Sequence, residues 1–192
     1  KLWRNSYPTL NLYDVNINFK QLSFLKHEKN IEFLNSTSTK LPFADNSVDR
    51  VLALESAQHF KPLDNFISES KRVLMKSGFL VMAVPITLKN SSLGRLGLLK
   101  FTWSSEHYGL DYLRDLISSN GFKIIDETLI GNHVYDPLAD YYVENRKLLS
   151  EKILKQYHAY MEKILYKSLL KMKKASEEKI IDYVLLKCTL ND

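Results

Sequence analysis

The sequence predicts an α/β fold, doubly wound around a mostly parallel sheet. Three observations carry this. Strand-like and helix-like segments alternate over residues 10–131, the pattern of a parallel sheet covered by helices on both faces. "FLVMAVPI" (79–86) is apolar throughout, as a strand buried on both faces has to be. "LPFADNSVDRVLALESAQHF" (41–60) passes from a turn into an apolar strand and stops on Glu55, Ser56, Gln58 and His59. Sheets of this kind bind ligands at the carboxyl ends of their strands.

Taken in order, Leu10 to Val15 reads as a short strand and "NFKQLSFLKHE" as the helix after it. "IEFLN" (31–35) is strand-like and runs into the polar stretch Ser36-Thr37-Ser38-Thr39. Val48 to Leu54 is a strand. Pro62 suits a first helical turn, and "LDNFISESKRVLM" places Leu63, Phe66, Ile67, Ser70, Val73 and Leu74 at helical spacing. Ser77-Gly78 is expected to stop that helix ahead of the strand 79–86. A loop rich in Ser and Gly (89–109) leads to the helix "LDYLRDLISSN", with Gly121 at its end. "FKIIDETLIG" and "KIIDYVLLKCTL" are the closing strands. Between them, residues 138–174 contain neither Pro nor Gly, and Tyr142, Leu149, Ile153, Tyr157, Tyr160 and Ile164 recur at helical intervals. One helix that long would span about 55 Å, so two helices, or one with a bend, are expected.

Composition narrows the class. The chain has 192 residues, 45% hydrophobic and 26% charged, with a net charge of +5. That suits one domain with a core plus a modest insertion. Nine Lys or Arg against four Asp or Glu fall within 138–174, so the rest of the chain is electrically balanced. A protein built throughout to grip phosphate backbones is not expected. Cys188 is alone, which excludes an internal disulfide. There is no run of about 18 apolar residues to cross a membrane. "KLWRNSYP" has neither the apolar centre of a signal peptide nor an initiator Met, and a cytoplasmic location is expected.

Four stretches together resemble the class I methyltransferases that use S-adenosyl-L-methionine, in particular the ubiquinone C-methyltransferases and the small-molecule O-methyltransferases. "YDVNINFKQL" is similar to the family's second strand and turn. "NSTSTKLPFADNSVDRVLALESAQHF" is similar to its third and fourth strands with their loop. "ESKRVLMKSGFLVMAVP" is similar to the helix and fifth strand, and "HYGLDYLRDLISSNGFKIIDETLIG" to the penultimate helix and sixth strand. The resemblance implies a Rossmann-like methyltransferase sheet with an antiparallel last strand and a helical insertion before it. It implies a core at 1–131, an insertion or cap at 132–176 and the last strand at 177–192. The family's first strand and Gly-rich loop have no counterpart here, and that strand lies mid-sheet between the second and fourth. The expectation is a normal enzyme whose N-terminal part lies outside this sequence; the alternative is an incomplete domain.

The resemblance also distributes roles. Asn16 and Gln21 stand where side chains hold the ribose of the cofactor; a turn Asn and a solvated helix Gln are the plainer alternative. Thr37 and Ser38 stand at the adenine positions, Thr37 where an acid is usual, and Leu54 ends the strand beneath the cofactor. Leu41 and Phe43 read as packing residues. If the chain turns helical after Leu54, Glu55 and His59 share a face. His59 is then the candidate general base toward an acceptor hydroxyl, with Glu55 orienting it, binding substrate or balancing the cofactor's charge. His59 bonded only to backbone is the alternative. His107, Tyr108, Tyr135 and Tyr142 are candidate substrate contacts, although aromatic residues at helical spacing also serve as core. Methyl transfer to a small-molecule hydroxyl is expected, with C- or N-methylation, or a degenerate scaffold domain, as alternatives. No metal, no nucleic acid and no transmembrane segment are expected; a homodimer stays open.

Overall fold

The computed structural model describes residues 5–25, 31–88 and 108–191. Among these, β1 (Leu12–Asn16), α1 (Phe19–Leu25), β2 (Ile31–Asn35) and β3 (Val48–Leu54) come first. They are followed by α2 (Leu63–Val73), β4 (Leu74–Thr87), β5 (Tyr108–Gly109) and α3 (Leu110–Ser119). The chain closes with β6 (Phe122–Leu129), α4 (Gly131–Glu144), α5 (Arg146–Leu154), α6 (Ala159–Glu177) and β7 (Ile181–Leu190).

The strands form two sheets. β1 and β2 pair in parallel, Leu12 opposite Ile31 and Asn16 opposite Asn35. The larger sheet runs β3-β4-β7-β6, with β5 against the end of β4. β3 and β4 are parallel, while β7 is antiparallel to both β4 and β6, as the resemblance implies for the last strand. Neither β1 nor β3 has a second strand neighbour among the described residues.

Period-two alternation explains the two layers of core. Leu80, Met82, Val84 and Ile86 of β4 share a face with Val184, Leu186 and Cys188 of β7, and Phe66, Ile67, Leu113 and Ile117 of α2 and α3 cover it. The other face turns Ala83, Ile181 and Tyr183 toward Tyr135 of α4 and Ala175 of α6. Cys188 is fully buried, and burial pushes its thiol up to about 12, so it stays protonated and packs as a small apolar group.

Three expectations need correction. The α2 helix ends at Val73, and Leu74 already pairs with Val48. The register then slips between Val48 and Arg50, so that Met75, Lys76 and Ser77 bulge into solvent. Gly78 therefore does not stop a helix. It lets the bulge close back on β3: a Cβ there would lie 2.9 Å from the Met75 carbonyl oxygen and 3.2 Å from that of Asp49. Residues 131–177 form three helices, α4 starting ahead of the segment read as helical and containing Pro137. The Ser/Gly loop lies mostly outside the described residues, as does His107.

Candidate active site

The loop between β2 and β3 is fixed before the site begins. Glu69 of α2 accepts the Leu41 N–H (2.8 Å) and pairs with Arg72, which donates to the Leu41 and Phe43 carbonyls and to Asp45. The Arg72 hydrogen bond, opposed by burial, holds the Glu69 carboxyl below the usual carboxylate range. Leu41 is buried and Phe43 meets Tyr13 of β1 edge-on at 5.2 Å, so both are packing residues as expected. This loop is also what carries the chain from the small sheet to the large one.

At the carboxyl end of β1, Asn16 accepts the Asn18 N–H (2.8 Å) and donates to the Gln21 carboxamide oxygen (3.1 Å). The Gln21 carboxamide nitrogen is left without a partner among the described residues. Asn35, at the end of β2, donates to the Asn16 and Ile17 carbonyls and ties the two strand ends together. Two residues on, the Thr37 hydroxyl accepts the Thr39 N–H and shares a hydrogen bond with the Thr39 hydroxyl, with Ser38 half-buried between them.

At the end of β3, Leu54 is 45% exposed and Glu55 enters the left-handed region at φ 54°. Gly, and at times Asn or Asp, visits this region readily; for a longer side chain such as Glu it costs roughly 1–2 kcal/mol. The Glu55 N–H still continues the ladder, donating to the Ala83 carbonyl (3.1 Å). Ala57–His59 then form a single 3-10 turn, which aligns residues i and i+3 rather than i and i+4. Gln58, not His59, consequently lies against Glu55, its amide nitrogen 3.4 Å from the carboxylate. Gln58 is buried and its side-chain oxygen has no partner among the described residues. His59 is exposed beside it, so the shared face expected for Glu55 and His59 does not form.

The third member of this group was hidden in an apolar strand. Tyr183 of β7 donates its hydroxyl to the same Ala83 carbonyl (2.9 Å). Burial first, and then a hydrogen bond to the Glu55 carboxylate, push its phenol far above the usual tyrosine range. Tyr135 of α4 packs edge-on at 6.3 Å and donates to the Asp182 carbonyl; burial, and then the charges of Glu55 and Asp182, raise its phenol as well. Both tyrosines therefore stay protonated. The signal that could have found Tyr183 is its hydroxyl: a phenol inside a run as apolar as "DYVLL" needs a polar neighbour.

Asp182 sets the height of α4. Its Oδ1 accepts the N–H of Gly131 (2.8 Å) and of Tyr183 (2.7 Å), capping the first turn of the helix that carries Tyr135. The other predicted aromatics go elsewhere. Tyr142 is buried in the cap with Ala139 and Leu169 and bonds Glu162, so it packs helices and does not line the site. Tyr108 is half-buried and stacked on Tyr112 at 5.7 Å. Among the described residues, no group of three His, Cys, Asp and Glu is arranged to hold a metal ion, and no helix is long and apolar enough to cross a membrane.

These residues suit an adenosyl sulfonium. Neutral amides and hydroxyls at the tips of β1 and β2 match ribose and adenine, which carry no net charge. A carboxylate, two protonated phenols and an unpartnered carboxamide oxygen at the tip of β3 match the cationic end.

The architecture is the Rossmann-like fold of the class I methyltransferases. Mycolic acid cyclopropane synthase CmaA1, in its complex with SAH and CTAB, superposes with a TM-score of 0.81 at 17% identity, covering 97% of this chain and 72% of that one. StiE O-MT superposes with a TM-score of 0.72 at 23% identity, covering 99% and 62%. In sequence, residues 1–82 match the methyltransferase domain family. Erythromycin 3''-O-methyltransferase of Saccharopolyspora erythraea is 27% identical over 140 residues, 65% of this chain. That match spans 44% of the erythromycin enzyme's length.

Proposed function

We propose that this chain forms the body of an enzyme that transfers a methyl group from S-adenosyl-L-methionine to a hydroxyl oxygen of a small molecule in the cytoplasm. The observation that carries the reading is the tip of β3. There a non-glycine residue, Glu55, holds a left-handed backbone, and beside it the buried Gln58 keeps an oxygen with no partner among the described residues. Strain and unmet polar groups of this kind collect at working sites. The matches to a 3''-O-methyltransferase and to StiE O-MT favour oxygen as the acceptor.

The bound cofactor supplies an electrophilic methyl; binding, aiming and the proton fall to the chain. Asn16 and Gln21 hold the ribose, Thr37 and Ser38 meet the adenine, and Leu54 packs beneath. Glu55 balances the positive charge. Tyr135 and Tyr183, kept protonated, donate hydrogen bonds that orient groups around Glu55 and do not act as bases. His59, exposed at the same tip, takes the acceptor's proton. Tyr108 contacts the acceptor.

The test uses full-length protein and an acceptor found by screening hydroxylated natural products and quinone precursors. His59→Ala should lower turnover at least tenfold with cofactor affinity near that of the parent. Unchanged turnover removes His59 from the mechanism. Transfer found only to amines or carbon removes the oxygen assignment.

A further inference from the structure

The cap carries a surface that methyl transfer does not use. Of the chain's 27 Lys and Arg and 22 Asp and Glu, nine and four lie within 138–174, leaving eighteen of each elsewhere. The whole excess of +5 thus sits within this segment of the cap. Part of it is neutralised in place, Arg146 by Glu162 and Lys173 by Asp140. Lys163, Lys167 and Lys171 form no salt bridge among the described residues, and their spacing puts them along one side of α6.

Beside that stripe, the turn from α5 to α6 exposes Leu154, Tyr157, Tyr160 and Met161 at 49%, 59%, 71% and 50%. Single exposed apolar residues need no explanation, but four clustered at one helix tip do. Their backbone is fixed. The N–H groups of Gln156 and Tyr157 both bond the Ile153 carbonyl (3.0 and 2.8 Å), and Met161 N–H bonds that of His158 (2.9 Å). The tip stands at the end of α6 remote from β7, about 27 Å along the helix axis.

We propose that this tip docks on an anionic phospholipid surface, with Tyr157, Tyr160, Leu154 and Met161 entering the headgroup layer and the α6 lysines lying over the phosphates. The chemistry matches: tyrosine rings suit the membrane–water interface, and each lysine near an anionic leaflet adds attraction. A second copy fits worse, because face-to-face pairing would set the Lys163, Lys167 and Lys171 stripe of one copy against that of the other. The proposal is independent of the methyl-transfer reading.

Co-sedimentation of the full chain with vesicles tests it. One set is phosphatidylcholine, the other has about a third of its lipid replaced by phosphatidylglycerol. The protein should sediment with the anionic set only, and less as salt rises from about 0.1 to 0.5 M. The triple variant K163E/K167E/K171E should reduce partitioning on the order of a hundredfold or more. Tyr157→Ser combined with Tyr160→Ser should reduce it at least tenfold, with circular dichroism unchanged for both. No sedimentation with the anionic vesicles, or sedimentation that both variants leave intact, overturns the proposal. So does a dimer in sedimentation velocity that the tyrosine variant dissociates, since that assigns the tip to a second copy.

Discussion

Gly131→Ala places one methyl group where the structure has no room. The new Cβ would lie 2.5 Å from Asp182 Oδ1, 3.1 Å from its Cγ and 3.1 Å from the Ser176 hydroxyl. Asp182 is 2% exposed and cannot swing into solvent; its Oδ1 holds the Gly131 and Tyr183 N–H groups. Overpacking of this kind costs about 1–3 kcal/mol, and a strained hydrogen bond to a charged group about 1.5–3 more. Reduced freedom of the unfolded chain returns about 0.4–1 kcal/mol. A net loss of about 1.5–5.5 kcal/mol follows, which for a chain this size lowers Tm by about 3–20 °C. Calorimetric melts of the parent and the variant measure it directly. Combined with Asp182→Ala, the added methyl no longer meets a carboxylate, so the two changes should couple by at least about 1 kcal/mol. A Gly131→Ala protein within about 0.5 kcal/mol of the parent, as at an ordinary surface position, would refute the reasoning.

Two further outcomes follow from the same geometry. Tyr183→Phe removes the hydroxyl donated to Ala83 and shared with Glu55; turnover should fall at least tenfold with Tm changed by only a few degrees, and unaltered turnover would remove Tyr183 from the site. Glu69 titrates lower in the folded chain than in the unfolded one, so its contribution is complete above the unfolded pKa and is lost as pH falls. The stability gap between the parent and Glu69→Gln, read from urea unfolding, should therefore narrow from about pH 5 to pH 3; a constant gap would contradict the pairing with Arg72 and Leu41.

Much of the fold could be read from the chain because its signals are local. The continuous apolar run of β4, the spacing of Phe66, Ile67 and Ser70, and Gly121 at φ 81° after α3 all follow from periodicity and backbone chemistry. What escaped depends on partners distant in sequence. The α2 helix stops at Val73 because Leu74 finds Val48, and Gly78 is required by a bulge that only pairing with β3 creates. The start of α4 is set by Asp182, 51 positions away. At the site, the residues after Leu54 were recognisable as polar, but their partners turned on which tight turn formed. A 3-10 turn set Gln58, not His59, against Glu55 and left His59 exposed beside them. Tyr183 was invisible within an apolar strand until β4 lay beside it.

The central claim is that the tips of β1, β2 and β3 serve one adenosyl ligand, and calorimetric titration of full-length protein with S-adenosylhomocysteine tests it most directly. Saturable binding well below a millimolar, weakened at least tenfold by Asn16→Ala, is the expected result. No binding heat up to about a millimolar, or binding indifferent to Asn16, would contradict the account.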